Sequence, residues 1–286
     1  MSKKRGVFLS LLMAALWGTS FPFSQIVLRG GVGQFELLAI RFIVSAIILS
    51  IVFYKQLKGF KKHEIMLGLK CGVSIFLGMA FQVSALKFTS SSNTAFLTML
   101  YIVVVPVLSV IFYKYEITKS VVLSVILAVI GTALVSFAKG FGGPINIGDL
   151  LAVISSVFIA FQMLFLGKKE STFNPNRVTI VEMGVVGVLS VISMFIFKQP
   201  FVMPTHVLGS VIYLTLIPGC LCFALQTYCQ RILDVYIVTI LFTFECVFAT
   251  IFSILILHET LTIIQVLGFI AILASAFIVL VPKKKE

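Results

Sequence analysis

The sequence predicts an all-α membrane protein whose ten transmembrane helices form two inverted five-helix repeats. The composition, the spacing of the apolar segments and an internal repeat support this prediction. Of the 286 residues, 60% are hydrophobic and 11% are charged, and the mean hydropathy is +1.16. A water-soluble domain with so much apolar surface would aggregate, so we expect no soluble domain.

Ten apolar segments are long enough to cross a bilayer, which takes about 20 residues of helix. The first resembles a secretory signal, with a basic head and an apolar stretch, but it continues to Leu28, so we interpret it as an uncleaved first span. The segments lie at residues 7–28, 34–53, 65–84, 91–113, 120–137, 148–167, 178–197, 208–229, 235–257 and 261–281.

The net charge of +12 is distributed asymmetrically between the predicted loops. If the N-terminus is cytoplasmic, sixteen Lys and Arg residues fall in inside segments and four in outside loops. This positive-inside bias predicts a multi-pass protein of the cell (inner) membrane with both termini cytoplasmic. The charge orients the chain in the bilayer, so we expect no nucleic-acid partner.

Three of the charged residues inside predicted spans bear on the function. Glu245 stands at the middle of segment 235–257. A carboxylate at that depth costs about 2.5–3.5 kcal/mol on insertion scales, so it must face protein or water, and we interpret it as functional. Arg41 lies roughly 10 Å inside span two; it either snorkels or, as we favour, pairs structurally with an acid. Glu182, near the cytoplasmic end of span seven, is a second candidate for proton coupling, but its position favours a solvated or Arg-paired role.

Spans one and four carry polar residues and prolines that allow two interpretations. Pro22 should bend span one and free the carbonyl of Gly18, giving either simple packing or a cavity-lining helix whose Trp17 and Phe21 touch a substrate. In span four, Thr98 and Tyr101 share a face that either joins helices or forms a polar pathway. The sequence leaves both pairs of alternatives open.

An internal repeat appears when the sequence is shifted by 144 residues. It predicts two domains, residues 1–143 and 144–286, joined at the Gly- and Pro-rich segment 138–149. Each domain holds five spans, an odd number, so the second must enter the membrane from the opposite side. The identical or similar pairs include Ala80 with Ala224, Gln82 with Gln226, Lys87 with Arg231, Leu97 with Leu241, Val103 with Val247, Ser109 with Ser253, Thr118 with Thr262 and Ile126 with Ile270.

The same shift places Tyr101 on Glu245 and Trp17 on Phe161. Because inverted repeats bind substrate near mid-depth between the two halves, we expect Tyr101 and Glu245 to mark the centre of a binding cavity. Gln82 and its counterpart are expected at opposite ends of this cavity, as gate or rim residues.

Several motifs resemble the EamA family of the drug/metabolite transporter superfamily. They are WGTSF in span one, RF in span two, ECVFATIFSILILHETLT across spans nine and ten, Gly268 nine residues after Glu259, and GDLLAVISS at the start of the second half. The resemblance covers nearly the whole chain as two tandem units. It implies a ten-helix inner-membrane transporter that moves amino acids or other small metabolites, commonly outward.

The sequence departs from that family at three places. Cys246 stands where the family often has proline after the mid-helix glutamate, which predicts a straighter helix. In the first unit, Tyr115 occupies the position of Glu259, with Glu116 one residue later, and Ser124 replaces the glycine that matches Gly268. These departures weaken a role for hinge glycines but not the fold. Glu116 and Glu259 are interpreted as structural caps of span ends.

The sequence predicts no enzyme. The three histidines and both aspartates fall at loops or span ends, so no catalytic dyad or metal set stands at helical spacing. The five cysteines lie in apolar runs without metal spacing and are expected to be small buried hydrophobic residues. We therefore expect no cofactor and no metal.

We expect a secondary transporter that works by alternating access, and the resemblance implies that it exports amino acids or related small metabolites. Glu245 would hold a substrate ammonium or a coupling proton. The alternatives are a multidrug exporter, favoured by an aromatic cavity in which Glu245 lacks polar neighbours, and a non-transporting sensor or scaffold, favoured by a solid core. The expected substrate-binding residues are Trp17, Phe21, Gln25, Asn93, Thr98, Tyr101, Phe161, Gln162, Gln226 and Glu245.

Overall fold

The computed structural model describes residues 3–113, 119–136, 146–166, 173–233, 241–242 and 244–280. In these ranges the chain forms helices and connecting turns. The junction 138–149, the start of span nine, Tyr115 and Glu116 lie wholly or partly outside them. The helices are α1 (Lys3–Gly18), α2 (Ser20–Arg29), α3 (Gln34–Val52), α4 (Tyr54–Leu57), α5 (Lys62–Ala85), α6 (Ser91–Thr98), α7 (Tyr101–Tyr113), α8 (Lys119–Ser136), α9 (Ile147–Leu166), α10 (Pro175–Ile196), α11 (Leu208–Leu214), α12 (Cys222–Ile232), α13 (Phe244–Leu257) and α14 (Ile263–Leu280).

The helices follow the predicted spans. Within the described ranges, seven helical stretches are long and apolar enough to cross a membrane, and three further apolar helices are shorter. Large apolar side chains such as Phe195 and Ile263 are exposed on the outside, as expected of a surface that faces lipid. The chain is therefore a multi-pass, all-helical membrane protein, while the count of ten crossings stays a prediction.

Within the described parts of the chain, three spans are interrupted near their middles. Span one breaks at Thr19, between α1 and α2 and three residues before Pro22. Span four breaks between α6 and α7, where Leu100 donates its backbone amide to Leu97 in a tighter turn (3.2 Å). Span eight contains a π-helical turn, Thr215–Leu221, around Pro218. Proline lacks an amide hydrogen, which explains the irregular turns in spans one and eight, and π turns in α-helices often mark functional sites.

One end of the bundle is held together by Arg177 at the start of α10. Its guanidinium donates to the carbonyl oxygens of Gln56, Lys58 and Gly59 at 2.6, 3.0 and 2.7 Å. It also forms an ion pair with Glu64 at 3.0 Å. These bonds join the connector between α3 and α5 to the start of α10, and we call this the Gly59 end.

The opposite end is organised around the buried carboxylate of Glu36. It accepts the backbone amide of Gly33 at 3.2 Å and that of Val202 at 2.9 Å, so it joins the loop before α3 to the loop after α10. At the far end of α5, the hydroxyl of Thr89 donates to Asp149 at 2.6 Å, which places the start of α9 here as well. We call this the Glu36 end.

Spans one and six, which correspond under the 144-residue shift, run in opposite directions. Span eight begins beside Val202 at the Glu36 end, so Leu233, just after α12, lies at the opposite end of the bundle. Gly6 at the start of α1 packs so closely on Leu233 that an added Cβ would lie 2.9 Å from its Cδ2, whereas α2 ends near Glu36. Helix α9 instead begins at the Glu36 end, and Asn174, which follows it in the sequence, lies at the Gly59 end, where it donates its backbone amide to Glu64 at 2.9 Å.

Two contacts between α8 and α14 are related by the same shift. The hydroxyl of Ser124 donates to the carbonyl of Ser275 at 2.8 Å. Two helical turns further along α8, Gly131 lies so close to Gly268 that an added Cβ would be 2.8 Å from the Gly268 carbonyl oxygen. The shift pairs Ser124 with Gly268 and Gly131 with Ser275. Small residues thus allow close backbone packing at both contacts, and the serine in the first unit takes the place of the expected glycine without opening the interface.

Candidate functional site

A small cavity lies inside the bundle, beside the interruptions of spans one, four and eight. Its volume is about 40 Å³, which is room for only a few water molecules. Both predicted halves contribute to its wall. The lining residues are Trp17, Ser20, Arg41, Ile75, Met79, Gln82, Thr98, Tyr101, Ile159, Gln162, Met163, Phe223, Gln226 and Glu245.

Two lining residues carry opposite charges. Arg41 comes from α3 and is 2% exposed. Its guanidinium lies 5.3 Å from the ring centroid of Phe42, but Nε and Nη2 have no hydrogen-bond partner among the described residues. Glu245, near the start of α13, faces the same cavity. Arg41 therefore does not snorkel. No acid of the described chain lies within direct ion-pair distance of it, but Glu245 is near enough to interact with it electrostatically, so the pairing that we favoured from the sequence takes this looser form.

The amide side chains of the lining reach a second buried acid. Gln162 donates its Nε2 to Glu182 Oε1 at 2.9 Å, while its own Oε1 has no partner. Gln226 donates to the sulfur of Met163 at 3.8 Å, and its Oε1 also lacks a partner in the described part of the chain. Glu182 is fully buried, so the solvated or Arg-paired role expected for it is wrong. It lies on α10, and its hydrogen bond with Gln162 connects it to the cavity lining.

Aromatic and hydroxyl groups form the rest of the polar wall. Trp17 donates its indole N–H to the carbonyl of Pro218 at 3.1 Å, which satisfies an acceptor in the π turn of span eight. The indole also packs edge-on against Phe223, at 5.3 Å between ring centroids. Thr98 and Ser155 share a hydrogen bond of 3.3 Å, and Tyr101 follows directly after the break in span four.

Six of the ten residues predicted to bind substrate lie in this lining: Trp17, Thr98, Tyr101, Gln162, Gln226 and Glu245. Gln82, which we expected at a rim of the cavity, is also part of the lining. The sequence analysis did not select Arg41, Ser20 and Phe223 for the site. A charge inside an apolar span was the available signal for Arg41, but it was interpreted as structural.

The other four predicted residues lie outside the lining. Gln25 donates its Nε2 to the carbonyl oxygens of Leu86 and Thr89 at 3.1 and 3.2 Å, so it joins α2 to the turn after α5. Asn93 accepts a hydrogen bond of 2.9 Å from Gln265.

The two predicted aromatic residues are used for packing. Phe21 is 3% exposed and belongs to the buried apolar core. Phe161 packs edge-on against Phe112, at 5.7 Å between ring centroids, and stacks on Phe165. Phe161 precedes Gln162 in the sequence, and of these two residues only Gln162 lines the cavity.

Comparison with known proteins identifies the same fold and class. The model of the EamA-like transporter family matches the chain twice, at residues 4–137 and 146–281. An uncharacterized transporter from Archaeoglobus fulgidus is 28% identical over 268 residues, which cover 94% of this chain and 83% of that protein. A crystal structure, described only as that of a protein, superposes with a TM-score of 0.70 at 16% identity, covering 96% of this chain and 95% of the other.

Proposed function

Because this chain belongs to the EamA-like transporter family, and is thus a membrane transporter with a small-molecule substrate, we propose that it moves amino acids or related small metabolites across the cell membrane. The proposed class is a secondary transporter, and the proposed direction is export. The cavity between the interrupted spans is the proposed substrate site.

The observation that supports this site is the concentration of unsatisfied polar atoms around it. The described residues contain seven buried side-chain N or O atoms without a hydrogen-bond partner, and four of these belong to the cavity lining. They are Nε and Nη2 of Arg41 and the Oε1 atoms of Gln162 and Gln226. Each such atom costs about 1–3 kcal/mol when it is left unpaired, so the site is arranged for a polar guest.

The proposed mechanism is alternating access between two inverted repeats, residues 1–143 and 144–286. The opposite directions of spans one and six, and the shift-related contacts of α8 with α14, support this arrangement. A cavity of about 40 Å³ is smaller than a metabolite, so the substrate requires a wider state. The breaks at Thr19 and after Thr98 and the π turn at Pro218 all flank the cavity, where bending would widen it towards one side at a time.

Proton coupling is part of the proposal in one of two forms. Glu245 faces the cavity and would exchange its proton for substrate, or it would hold a substrate ammonium while the buried Glu182 behind Gln162 carries the proton. Membrane acids that face a cavity commonly serve proton or ion coupling. Both termini are proposed to be cytoplasmic, from the distribution of Lys and Arg.

Two alternatives are less well supported. A scaffold would have a solid interior, whereas this interior contains a polar cavity that reaches Glu245. A multidrug exporter would surround Glu245 with aromatic residues, whereas Arg41, Gln162 and Gln226 share its cavity.

Reconstitution into liposomes tests the proposed function. Purified protein would be assayed for exchange of radiolabelled amino acids, with nucleosides and cationic dyes as competitors. Exchange of a small metabolite is expected in the wild type, and Glu245→Gln should abolish it. Lys70→Gln, which removes a charge from the exposed face of α5, should retain it. Full exchange by Glu245→Gln would refute the assignment of this residue, and the absence of exchange of any solute would refute transport.

A further inference from the structure

Arg41 stands out as a buried cation whose donors are directed into a cavity and are unused. The side chain is 2% exposed, and its Nε and Nη2 have no partner among the described residues. The neighbouring groups offer these atoms no hydrogen bond: Phe42 provides a ring face, Glu245 acts on Arg41 only through its charge, and Gly219 packs so near that an added Cβ would lie 3.5 Å from Arg41 Cγ. The guanidinium is therefore held in place along its stem while its polar head remains unsatisfied.

A guanidinium in this setting needs an anion. Burying a charged group whose hydrogen bonds are not made is strongly unfavourable. Among the described residues, an arginine ion pair at 3.0 Å joins Arg177 to Glu64 at the Gly59 end, whereas Arg41 has no such pair. Two adjacent guanidinium N–H groups match the two oxygens of a carboxylate, which they bind with parallel hydrogen bonds. The unused atoms on Arg41 fit this role.

The opposite charge is present in the same cavity. Glu245 lines it together with Arg41, and the Oε1 atoms of Gln162 and Gln226 add two free hydrogen-bond acceptors. Carboxylate and amide oxygens are suitable partners for an ammonium group. The cavity therefore presents an anion-binding group on Arg41 and cation-binding groups on Glu245, Gln162 and Gln226.

We propose that Arg41 is the carboxylate subsite of the cavity and that, opposite Glu245, it makes the transporter selective for zwitterionic amino acids. This inference rests on the proposed function and specifies its substrate class. The remaining wall is largely apolar, with Trp17, Ile75, Met79 and Phe223, so an apolar side chain completes the fit. Cationic compounds without a carboxylate are disfavoured because they would leave Arg41 unpaired and add a second positive charge beside it.

A series of ligands that share one isobutyl group tests this selectivity in the wild-type protein. L-Leucine carries both an ammonium and a carboxylate, 3-methylbutylamine carries only the ammonium, and 4-methylpentanoate carries only the carboxylate. Binding to the full-length protein in nanodiscs would be measured by calorimetry, with the other amino acids as competitors. We expect L-leucine to bind at least about tenfold more tightly than either analogue, since one charge-assisted hydrogen bond contributes about that factor. An analogue that binds within about twofold of L-leucine would overturn the proposal.

Substitutions then assign each charge to its residue. In Arg41→Gln the affinity for L-leucine should fall by about tenfold or more, while the affinity for 3-methylbutylamine should be retained or rise, because the variant removes the positive charge beside its ammonium group. In Glu245→Gln the affinity for L-leucine should fall, while the affinity for 4-methylpentanoate should be retained because this ligand has no ammonium group. Arg41→Lys keeps the charge but not the two-pronged geometry and should be intermediate. Lys70→Gln is the control that removes a charge outside the cavity. Equal losses for all three ligands in Arg41→Gln would contradict the subsite.

The outcomes separate this inference from the proposed function. Exchange of nucleosides or dyes, without binding of any amino acid, would overturn the zwitterion site and leave transport intact. Failure to exchange any solute in liposomes would overturn both. If Arg41→Gln does not fold, the wild-type ligand series still decides the question, because it requires no variant.

Discussion

Removing the carboxylate of Glu259 should destabilise the start of α6. This residue lies after α13, yet it accepts the backbone amides of Ser91 and Ser92 at 2.8 and 3.2 Å and the Ser92 hydroxyl at 2.5 Å. It therefore caps α6 from a distant part of the chain. The structural role expected for Glu259 from the sequence is the one that the geometry displays.

The size of the effect follows from these three bonds. Both serines are fully buried, so Glu259→Ala leaves two amide donors without partners and removes a negative charge from a helix N-terminus. Loss of a helix cap costs about 0.5–2 kcal/mol, and a buried donor left unpaired costs about 1–3 kcal/mol. We expect Glu259→Ala to lower the free energy of unfolding by about 3 kcal/mol, or the Tm by roughly 5–10 °C. Glu259→Gln keeps one acceptor oxygen and should lose about half as much.

The five buried cysteines provide the assay. A thiol-reactive fluorophore labels them only as the protein unfolds, so a thermal ramp in detergent reports Tm for each variant. Ser92→Ala, which removes only the hydroxyl bond, is the matched control and should shift Tm by the smallest amount. A Tm for Glu259→Ala within about 1 °C of the wild type would refute the capping argument.

Two further substitutions test the packing of the bundle by the same thermal assay. Arg177→Lys should cost about 2 kcal/mol, because lysine keeps the charge but cannot reach Glu64 and the three carbonyl oxygens of the Gly59 end at once; an unchanged Tm would contradict the role of these bonds. Gly187→Leu should cost about 3 kcal/mol or prevent insertion, because even an added Cβ would lie 2.5 Å from Ile43 Cγ1 and 2.9 Å from its backbone nitrogen. Gly184→Leu, where an added Cβ meets nothing within 4 Å, is its control and should be tolerated.

The sequence predicted the helices and two residues of the cavity lining because both depend on strong signals. A continuous apolar run must be helical in a bilayer, and each predicted window coincides with described helix over most of its length. Tyr101 and Glu245, paired by the 144-residue shift, line one cavity. A carboxylate within an apolar run and a repeat offset are both visible in the sequence itself, so they could be identified without knowledge of packing.

The direction in which each side chain points depended on packing that the sequence does not specify. Phe161 and Gln162 are neighbours on α9, and the rotation of that helix against α5 and α7 decides which of them meets the cavity. Gln25 and Asn93 looked like substrate contacts, but they bond Leu86 and Gln265 instead. Charge alone could not show that Arg41 lines the cavity without a direct ion pair, because its depth in the span fits either arrangement.

Alternating access to the cavity is the central claim, and labelling of one introduced cysteine tests it most directly. Met79→Cys would be made in a variant whose five native cysteines are replaced, and the protein would be reconstituted in liposomes with a membrane-impermeant thiol reagent on one side at a time. We predict that the cysteine reacts from either side, and that bound substrate slows both reactions. Reaction from one side only, unaffected by substrate, would contradict a cavity that opens alternately to the two faces of the membrane.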